Sequence, residues 1–403
     1  MEQKEIWIVA AKRTPMGRFQ GMLSEYPSPK LGALAIKAAV DEQPELAELI
    51  NEVYMGCVLP AGTGQAPARQ AALGAGLSEG IGCTTINKVC GSGMKAVMLA
   101  HDLIRSGSSR CIVAGGMESM TNAPYLLKEA RSGMRMGHKS SYDHMFLDGL
   151  QDAYQGELMG VYGQQIADKL DFSRQQMDQW ASLSVSRAMQ AQQQGLFDDE
   201  LVPVALKGDE KLDYDEQPPA IKPEKIPQLR PAFAKNGSIT AANSSAISDG
   251  AAALIVMDGQ LAEQKGLKPL AIIKSHATHA RQPSEFTIAP VHAIEHLLSQ
   301  LDWGIDEVDL WEINEAFAVV TQIAVKQLGL DSEKVNVKGG ACALGHPIGA
   351  SGARIIVTLI HSLRQLQALG SDGNSNKKRV MKGIASLCIG GGEATAIGIE
   401  IPL

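Results

Sequence analysis

The chain carries the same order of segments twice, and this repeat narrows its possible folds more than any single motif does. In the first half, Ile50-Asn-Glu-Val-Tyr-Met-Gly leads to Thr85-Ile-Asn-Lys-Val-Cys-Gly-Ser-Gly. A helical stretch from Met94 to Ile104 follows, and then the strand-like Arg110-Cys-Ile-Val-Ala-Gly-Gly-Met. In the second half, Ile305-Asp-Glu-Val-Asp-Leu-Trp-Glu leads to Val335-Asn-Val-Lys-Gly-Gly. There Gly349-Ala-Ser-Gly opens a helical stretch to Leu363, and Lys382-Gly-Ile-Ala-Ser-Leu-Cys-Ile-Gly-Gly-Gly closes the unit. Each unit reads strand, strand, glycine-rich turn, helix, strand. Short aliphatic runs alternating with longer amphipathic ones predict an α/β fold with largely parallel central strands.

The stretch 121–247 breaks the rhythm. It is richer in Met, Gln, Arg and Asp, with turn-rich pieces such as Glu216-Gln-Pro-Pro. Ser173-Arg-Gln-Gln predicts a helix start with Ser173 as N-cap and Gln176 in the capping-box position. We read 121–247 as an inserted, mostly helical lid. The expected boundaries are 1–120 for the first half, completed by 248–268, and 269–403 for the second. A polar surface loop is expected over residues 371–378.

A net charge of −7 argues against a general nucleic-acid or membrane-surface binder. The cysteines at 57, 83, 90, 111, 342 and 388 form no CxxC pair, and no Cys/His spacing suits zinc. Several lie in apolar runs, as buried free thiols do, which fits a reducing compartment. The N-terminus enters a strand at Ile6 without a basic-then-apolar leader, and Ile-Pro-Leu at the C-terminus is not a Ser-Lys-Leu address. No apolar run is long enough to span a bilayer. The cytoplasm is the expected location.

Cys90 precedes Gly-Ser-Gly and an apolar helical run. A thiol at a helix N-terminus is expected to have a lowered pKa, because exposed N–H groups and the helix dipole favour thiolate. The bland alternative is a small buried hydrophobe. His346 sits in Gly-His-Pro-Ile-Gly, and Pro347 keeps it out of a helix interior. It is either a turn histidine or a base and oxyanion donor. Cys388 ends a strand before three glycines, as a core residue or a second acid/base. Asn314, beside Glu315, is either a helix cap or an amide that holds water in a closed site.

These pieces together resemble the thiolase family over essentially the whole chain. The matching stretches include Arg13-Thr-Pro-Met-Gly, Asn87-Lys-Val-Cys-Gly-Ser-Gly-Met-Lys-Ala and Ala114-Gly-Gly-Met-Glu-Ser-Met. Gly64-Gln-Ala-Pro-Ala-Arg-Gln, Asp249-Gly-Ala-Ala-Ala, Asn314-Glu-Ala-Phe, Gly345-His-Pro-Ile-Gly-Ala-Ser-Gly and Cys388-Ile-Gly-Gly-Gly complete the set. The resemblance implies duplicated βαβαβαββ halves in an α/β/α layered arrangement. It implies a ping-pong Claisen condensation of two acetyl-CoA, and its reverse, in the acetyl-CoA C-acetyltransferase branch. Cys90 would be S-acylated, His346 would take its proton, and Cys388 would exchange a proton with the acetyl-CoA methyl. Asn314 would position a water in the enolate oxyanion hole, and the N–H groups of Cys90 and Gly390 would hold the acyl oxygen. Met159, Phe233, Ser245 and Leu158 would line the substrate channel. Lys222, Lys225 and Arg230 are candidates for the CoA phosphates, or simply a solvated loop. The resemblance further implies no metal and no cofactor beyond CoA as a substrate, and a homotetramer built as a dimer of dimers.

Some positions depart from the family pattern. Leu158-Met-Gly stands where many acetoacetyl-CoA-specific members have His-Met-Gly, which leaves a degradative 3-ketoacyl-CoA thiolase for longer chains as the alternative. Lys338 replaces Asn in Asn-Val-Asn-Gly-Gly, Ala246 replaces Gly, and Cys342, usually aliphatic, is read as packing. A ketoacyl synthase is disfavoured by Cys388, a non-catalytic acyl-CoA or lipid binder by the presence of both Cys90 and His346, and a zinc or redox protein by the ligand spacing.

Overall fold

The computed structural model describes residues 4–372 and 379–403. Its main strands are β1 (Ile6–Arg13), β2 (Glu52–Gly56), β3 (Gly82–Ile86), β4 (Cys111–Ser119), β5 (Ser248–Asp258), β6 (Ala271–Ala280), β7 (Leu310–Ile313), β8 (Met381–Ile389) and β9 (Glu393–Ile401). The main helices are α1 (Ser28–Asp41), α2 (Pro67–Gly74), α3 (Ser92–Ser106), α4 (Met159–Lys169), α5 (Arg174–Gln193), α6 (Ala289–Leu301), α7 (Ala318–Leu328) and α8 (Ser351–Asp372). The strands join edge to edge in the order β7-β8-β9-β6-β1-β5-β4-β2-β3.

The repeat is visible in this order. Outward from the centre, one half runs β1, β5, β4, β2, β3 and the other β6, β9, β8, β7. The two first strands meet at the middle, with Ile6 opposite Ile273. The expectation of largely parallel strands does not hold. Only β2–β3, β2–β4 and β7–β8 are parallel among the described pairs of main strands. Each half ends in a strand that returns antiparallel beside its first strand. The link from β8 to β9 is a hairpin, and Gly391 and Gly392 at φ 92° and 90° supply its left-handed corner.

Alternation along the strands sorts the core into layers. On β4, Ile112 and Ala114 join a central cluster with Met94, Val97 and Ile104 of α3 and Ile356, Val357 and Ile360 of α8. Cys111 and Val113 face the opposite way, into a cluster with Leu31, Ala35 and Ile36 of α1. In the second half, Trp311, Ile313 and Ile384 pack against Val291, Ile294 and Leu297 of α6. The layers therefore run helix, sheet, helix pair, sheet, helix. Each buried Ile or Leu contributes roughly 1.5–3 kcal/mol, so the central pair holds both halves together through aliphatic burial.

The fifth strand expected in the second half, around Val335, is a single bridge to Trp311. Asn336 explains why. Its φ is 49°, which bends the backbone out of the ladder. Its carboxamide takes over the pairing, since Asn336 Oδ1 accepts from the Ile313 N–H at 2.8 Å and Nδ2 donates to the Ile313 carbonyl at 2.8 Å.

The inserted segment contributes α4 and α5, several short turns of 3₁₀ helix, and small two-stranded ribbons. Ser173 caps α5 as expected, accepting from Gln176 N–H while the Gln176 side chain accepts from Ser173 N–H. Buried ion pairs pin the segment to β1. Arg13 reaches Glu200 at 2.6 Å and Asp215 at 2.7 Å. The polar loop expected at 371–378 falls, from 373 onward, outside the described residues, and α8 runs through Asp372. Among the described residues no helix is long and apolar enough to cross a membrane.

Candidate active site

Cys90 ends a tight turn between β3 and α3. Val89 holds φ at 46°, a strained value for a β-branched residue. Local side chains lock it there. Asn87 Oδ1 accepts from Val89 N–H at 2.9 Å, and Ser92 Oγ accepts from Lys88 N–H at 2.8 Å while donating to Val89 O at 2.6 Å. The helix begins two residues later at Ser92.

The expected lowering of the Cys90 pKa is overturned. Burial pushes the thiol up to about 11; the backbone N–H groups of Gly390 and of Cys90 itself pull it down, and Glu118 adds to the rise. Of these donors only the Cys90 N–H belongs to the turn before α3, Gly390 lies across from it in the β8–β9 hairpin, and desolvation outweighs both. Cys90 is therefore a neutral thiol that needs a base.

His346 supplies a base of the right kind. Its N–H donates to Ala246 O at 3.0 Å. Its Nδ1 lies 2.5 Å from Ser351 Oγ and 3.5 Å from Asn314 Nδ2. Nε2 is buried without a hydrogen-bond partner among the described residues. Burial, and then the charge of Arg354, lower its pKa to about 3, so the imidazole rests neutral.

Cys388, 1% exposed, lies at the end of β8. Burial first, and the neighbouring Cys90 second, hold its pKa well above the usual thiol range. Asn314 is not a helix cap. Helix α7 starts at Ala318, with Phe317 at the cap position. Asn314 N–H donates to Ser386 O at 3.0 Å, and its Oδ1 is buried without a partner among the described residues.

Cys90, His346, Cys388 and Gly390 line one cavity of about 60 Å³, with Met159, Ser245 and Phe317. It shares Met159, Ser245, Phe317 and Ile348 with an outer pocket of about 200 Å³, which adds Leu158, Phe233, Phe146 and Met120. The outer pocket meets a third recess, of about 310 Å³, at Ala246; Lys222 and Lys225 line that recess. Arg230 is exposed and does not line it. Phe233 sits edge-on to Phe317, with centroids 6.0 Å apart. A Cβ on Gly160 would meet the Phe233 ring at 2.2 Å, so glycine is what lets the ring lie over α4.

Sequence reasoning gave Ser351, Glu118 and Asn336 no role, and Glu315 only a place beside Asn314. Ser351 was within the quoted His346 stretch, five residues on. The Glu315 carboxylate collects Trp180 Nε1 at 2.9 Å, Ser184 Oγ at 2.8 Å, Asn336 Nδ2 at 2.9 Å and Cys342 N–H at 3.1 Å. It thereby fixes the loop that carries Asn314. Cys342 is buried, as its packing role requires. Away from the cavity, Asp102 Oδ1 lies 3.0 Å from His101 Nδ1 and 2.9 Å from His276 Nε2, a hydrogen-bonded fork.

The chain matches the family described as Thiolase, N-terminal domain over residues 6–260, and Thiolase, C-terminal domain over residues 267–401. The chain belongs to the thiolase family. Among thiolase relatives, the acetyl-CoA acetyltransferase of Cupriavidus necator is 44% identical over 98% of this chain and 99% of its own. That of Saccharomyces cerevisiae is 45% identical over 98% and 99%, and acetyl-CoA acetyltransferase 2 of Arabidopsis thaliana 46% over 99% and 97%. A thiolase of Ascaris suum, solved in complex with coenzyme A, superposes with a TM-score of 0.92 at 40% identity, covering 98% of this chain and 100% of that one. The thiolase fold that the resemblance implied is thus the fold observed.

Proposed function

We propose that this thiolase is an acetyl-CoA C-acetyltransferase that makes acetoacetyl-CoA and CoA from two acetyl-CoA and runs the reverse thiolysis. The observation that carries the reading is the convergence of two thiols, one neutral imidazole and the Gly390 N–H on one small cavity. The relatives' shared name supports the same activity.

In thiolysis, His346 Nε2 takes the Cys90 proton and the thiolate adds to the 3-keto carbonyl. The C2–C3 bond then breaks, leaving acetyl on Cys90, and the departing enolate takes the Cys388 proton. CoA–SH gives its proton to the Cys388 thiolate and attacks the acetyl group. Cys90 leaves and recovers its proton from His346. Condensation is the same path reversed. The N–H groups of Cys90 and Gly390 hold the acyl oxygen, and Asn314 with a water holds the enolate oxygen.

The need for several donors is quantitative. A thioester α-carbon is a weaker acid than a thiol by roughly ten units, or about 14 kcal/mol. One oxyanion donor supplies about 3–4 kcal/mol, so paired donors and alignment of two thioesters are both required.

CoA is a substrate here. Its pantetheine follows Ser245 and Phe233 outward, with the phosphates near Lys222 and Lys225. The reading includes a homotetramer in the cytoplasm, which six free thiols suit, with the halves and lid divided at residues 121, 248 and 269. The test is steady-state thiolysis of acetoacetyl-CoA against a longer straight-chain 3-ketoacyl-CoA, with Cys90→Ser as the blank. A large kcat/KM advantage for acetoacetyl-CoA is expected. An advantage for the longer chain would make this a degradative thiolase with Leu158 in a wider pocket, and no turnover of either would sink the catalytic reading.

A further inference from the structure

Glu118 belongs to the stretch 114–120, which the catalytic steps leave unused. Its side chain is fully buried on β4, in a largely apolar surround. A carboxylate there is costly unless its lone pairs are taken. They are. Oε2 accepts from Val58 N–H at 2.9 Å and Gly349 N–H at 2.9 Å. Oε1 accepts from Leu59 N–H at 3.1 Å and lies 3.6 Å from Cys57 Sγ.

These donors come from both halves of the molecule. Residues 57–59 follow β2 of the first half. Gly349 belongs to the second half, three residues after His346 and two before Ser351. The loop is seated closely as well. A Cβ on Gly116 would meet Gly349 O at 2.0 Å. The next residue back, Ile348, lines both inner and outer cavities and packs with Val58 and Leu59. His346 itself has a single backbone tether in its loop, the bond to Ala246 O. Cys90 is carried by the first half and His346 by the second, so their separation depends on what locks Gly349 to the first half.

We infer that Glu118 is a positioning residue that sets His346 against Cys90 by clamping Gly349 to the Val58–Leu59 turn. This rests on the thiolase reading of the site. Gln at 118 keeps the shape but has one acceptor oxygen and turns an NH₂ toward backbone N–H donors. Asp keeps both acceptor oxygens on a shorter arm.

The test compares wild type, Glu118→Gln and Glu118→Asp, each also with His346→Ala. Two readouts are taken per folded active site: acetoacetyl-CoA thiolysis and the pH dependence of Cys90 alkylation by iodoacetamide without substrate. A misplacement of about 1 Å costs on the order of 10²-fold in rate. Glu118→Gln is therefore expected to lower kcat by about that factor with little change in KM, with Glu118→Asp intermediate. Alkylation at neutral pH is read on Glu118→Asp, which keeps the charge that raises the Cys90 thiol; it should slow, and the slowing should vanish in the His346→Ala background, because a residue acting through His346 has nothing left to position. Unchanged kcat in both 118 variants with unchanged alkylation in Glu118→Asp would overturn the inference, as would an equal effect with and without His346. Should Glu118→Gln not fold, Glu118→Asp decides by the same two readouts. Alkylation needs no turnover, so a wild type inactive on acetoacetyl-CoA counts against the substrate reading and leaves this one decided separately.

Discussion

His346 Nδ1 and Ser351 Oγ lie 2.5 Å apart, and the same hydroxyl is 3.0 Å from the Pro347 carbonyl oxygen. With the hydroxyl hydrogen on that carbonyl, Ser351 accepts from Nδ1–H, which is the tautomer a base at Nε2 requires. Nε2 keeps its lone pair and faces the cavity. The Asn314 Nδ2 contact, at 3.5 Å, is too long to compete.

Ser351→Ala should therefore loosen the ring and mix its tautomers. We expect kcat to fall by roughly 10–10²-fold with KM nearly unchanged, the scale seen when a histidine's supporting partner is removed. Steady-state thiolysis checks this, and a change confined to KM would contradict it.

Cys90, raised to about 11 by burial, should be a slow nucleophile in the free enzyme. The thiolate fraction grows as pH rises toward that value. The rate of iodoacetamide inactivation should keep climbing by about tenfold per pH unit well past 8.5, where an ordinary thiol levels off. A plateau near pH 7 would mean the helix start, not burial, governs the thiol.

Gly160→Ala should displace the Phe233 ring, which has no room for a Cβ at 2.2 Å. A loss of about 1–3 kcal/mol in stability is expected from overpacking. KM for the CoA substrate should rise more than kcat falls, because Phe233 lines the outer pocket and not the reacting cavity. Thermal melts and initial rates test the two parts.

Lys338→Met should unfasten the lid. Lys338 Nζ donates to Leu196 O at 2.7 Å and lies 3.9 Å from Glu200, both in the inserted segment. Leu196 O keeps its bond from Gln365 Nε2 at 3.0 Å, so the loss is one charge-assisted hydrogen bond and the contact to Glu200, about 1.5–3 kcal/mol. Urea denaturation should register the loss, and faster proteolysis within 194–215 should accompany it. Unchanged stability would mean that Arg13 alone suffices for Glu200.

The sequence made Cys90, His346 and Cys388 legible because each sits in a strand or turn bounded by glycine or proline, and Asn314 because it follows a short apolar strand. It did not make the clamp at Glu118 legible. Its three backbone donors are separated from it by about 60 residues on one side and 231 on the other. The Val335 strand failed for the opposite reason. Its local pattern was right, but a side-chain amide took the ladder's hydrogen bonds.

What the sequence determined by itself is the repeat, the alternation that builds the layers, and the turn chemistry that delivers each reactive side chain to a strand end. These depend on neighbours along the chain. What only the tertiary structure decided is the charge state of the thiols, the partner of His346 Nδ1, and the direction of most strand pairs. Each of those depends on how much water is excluded and which distant donor faces which acceptor, and neither quantity exists until the two halves have closed on each other.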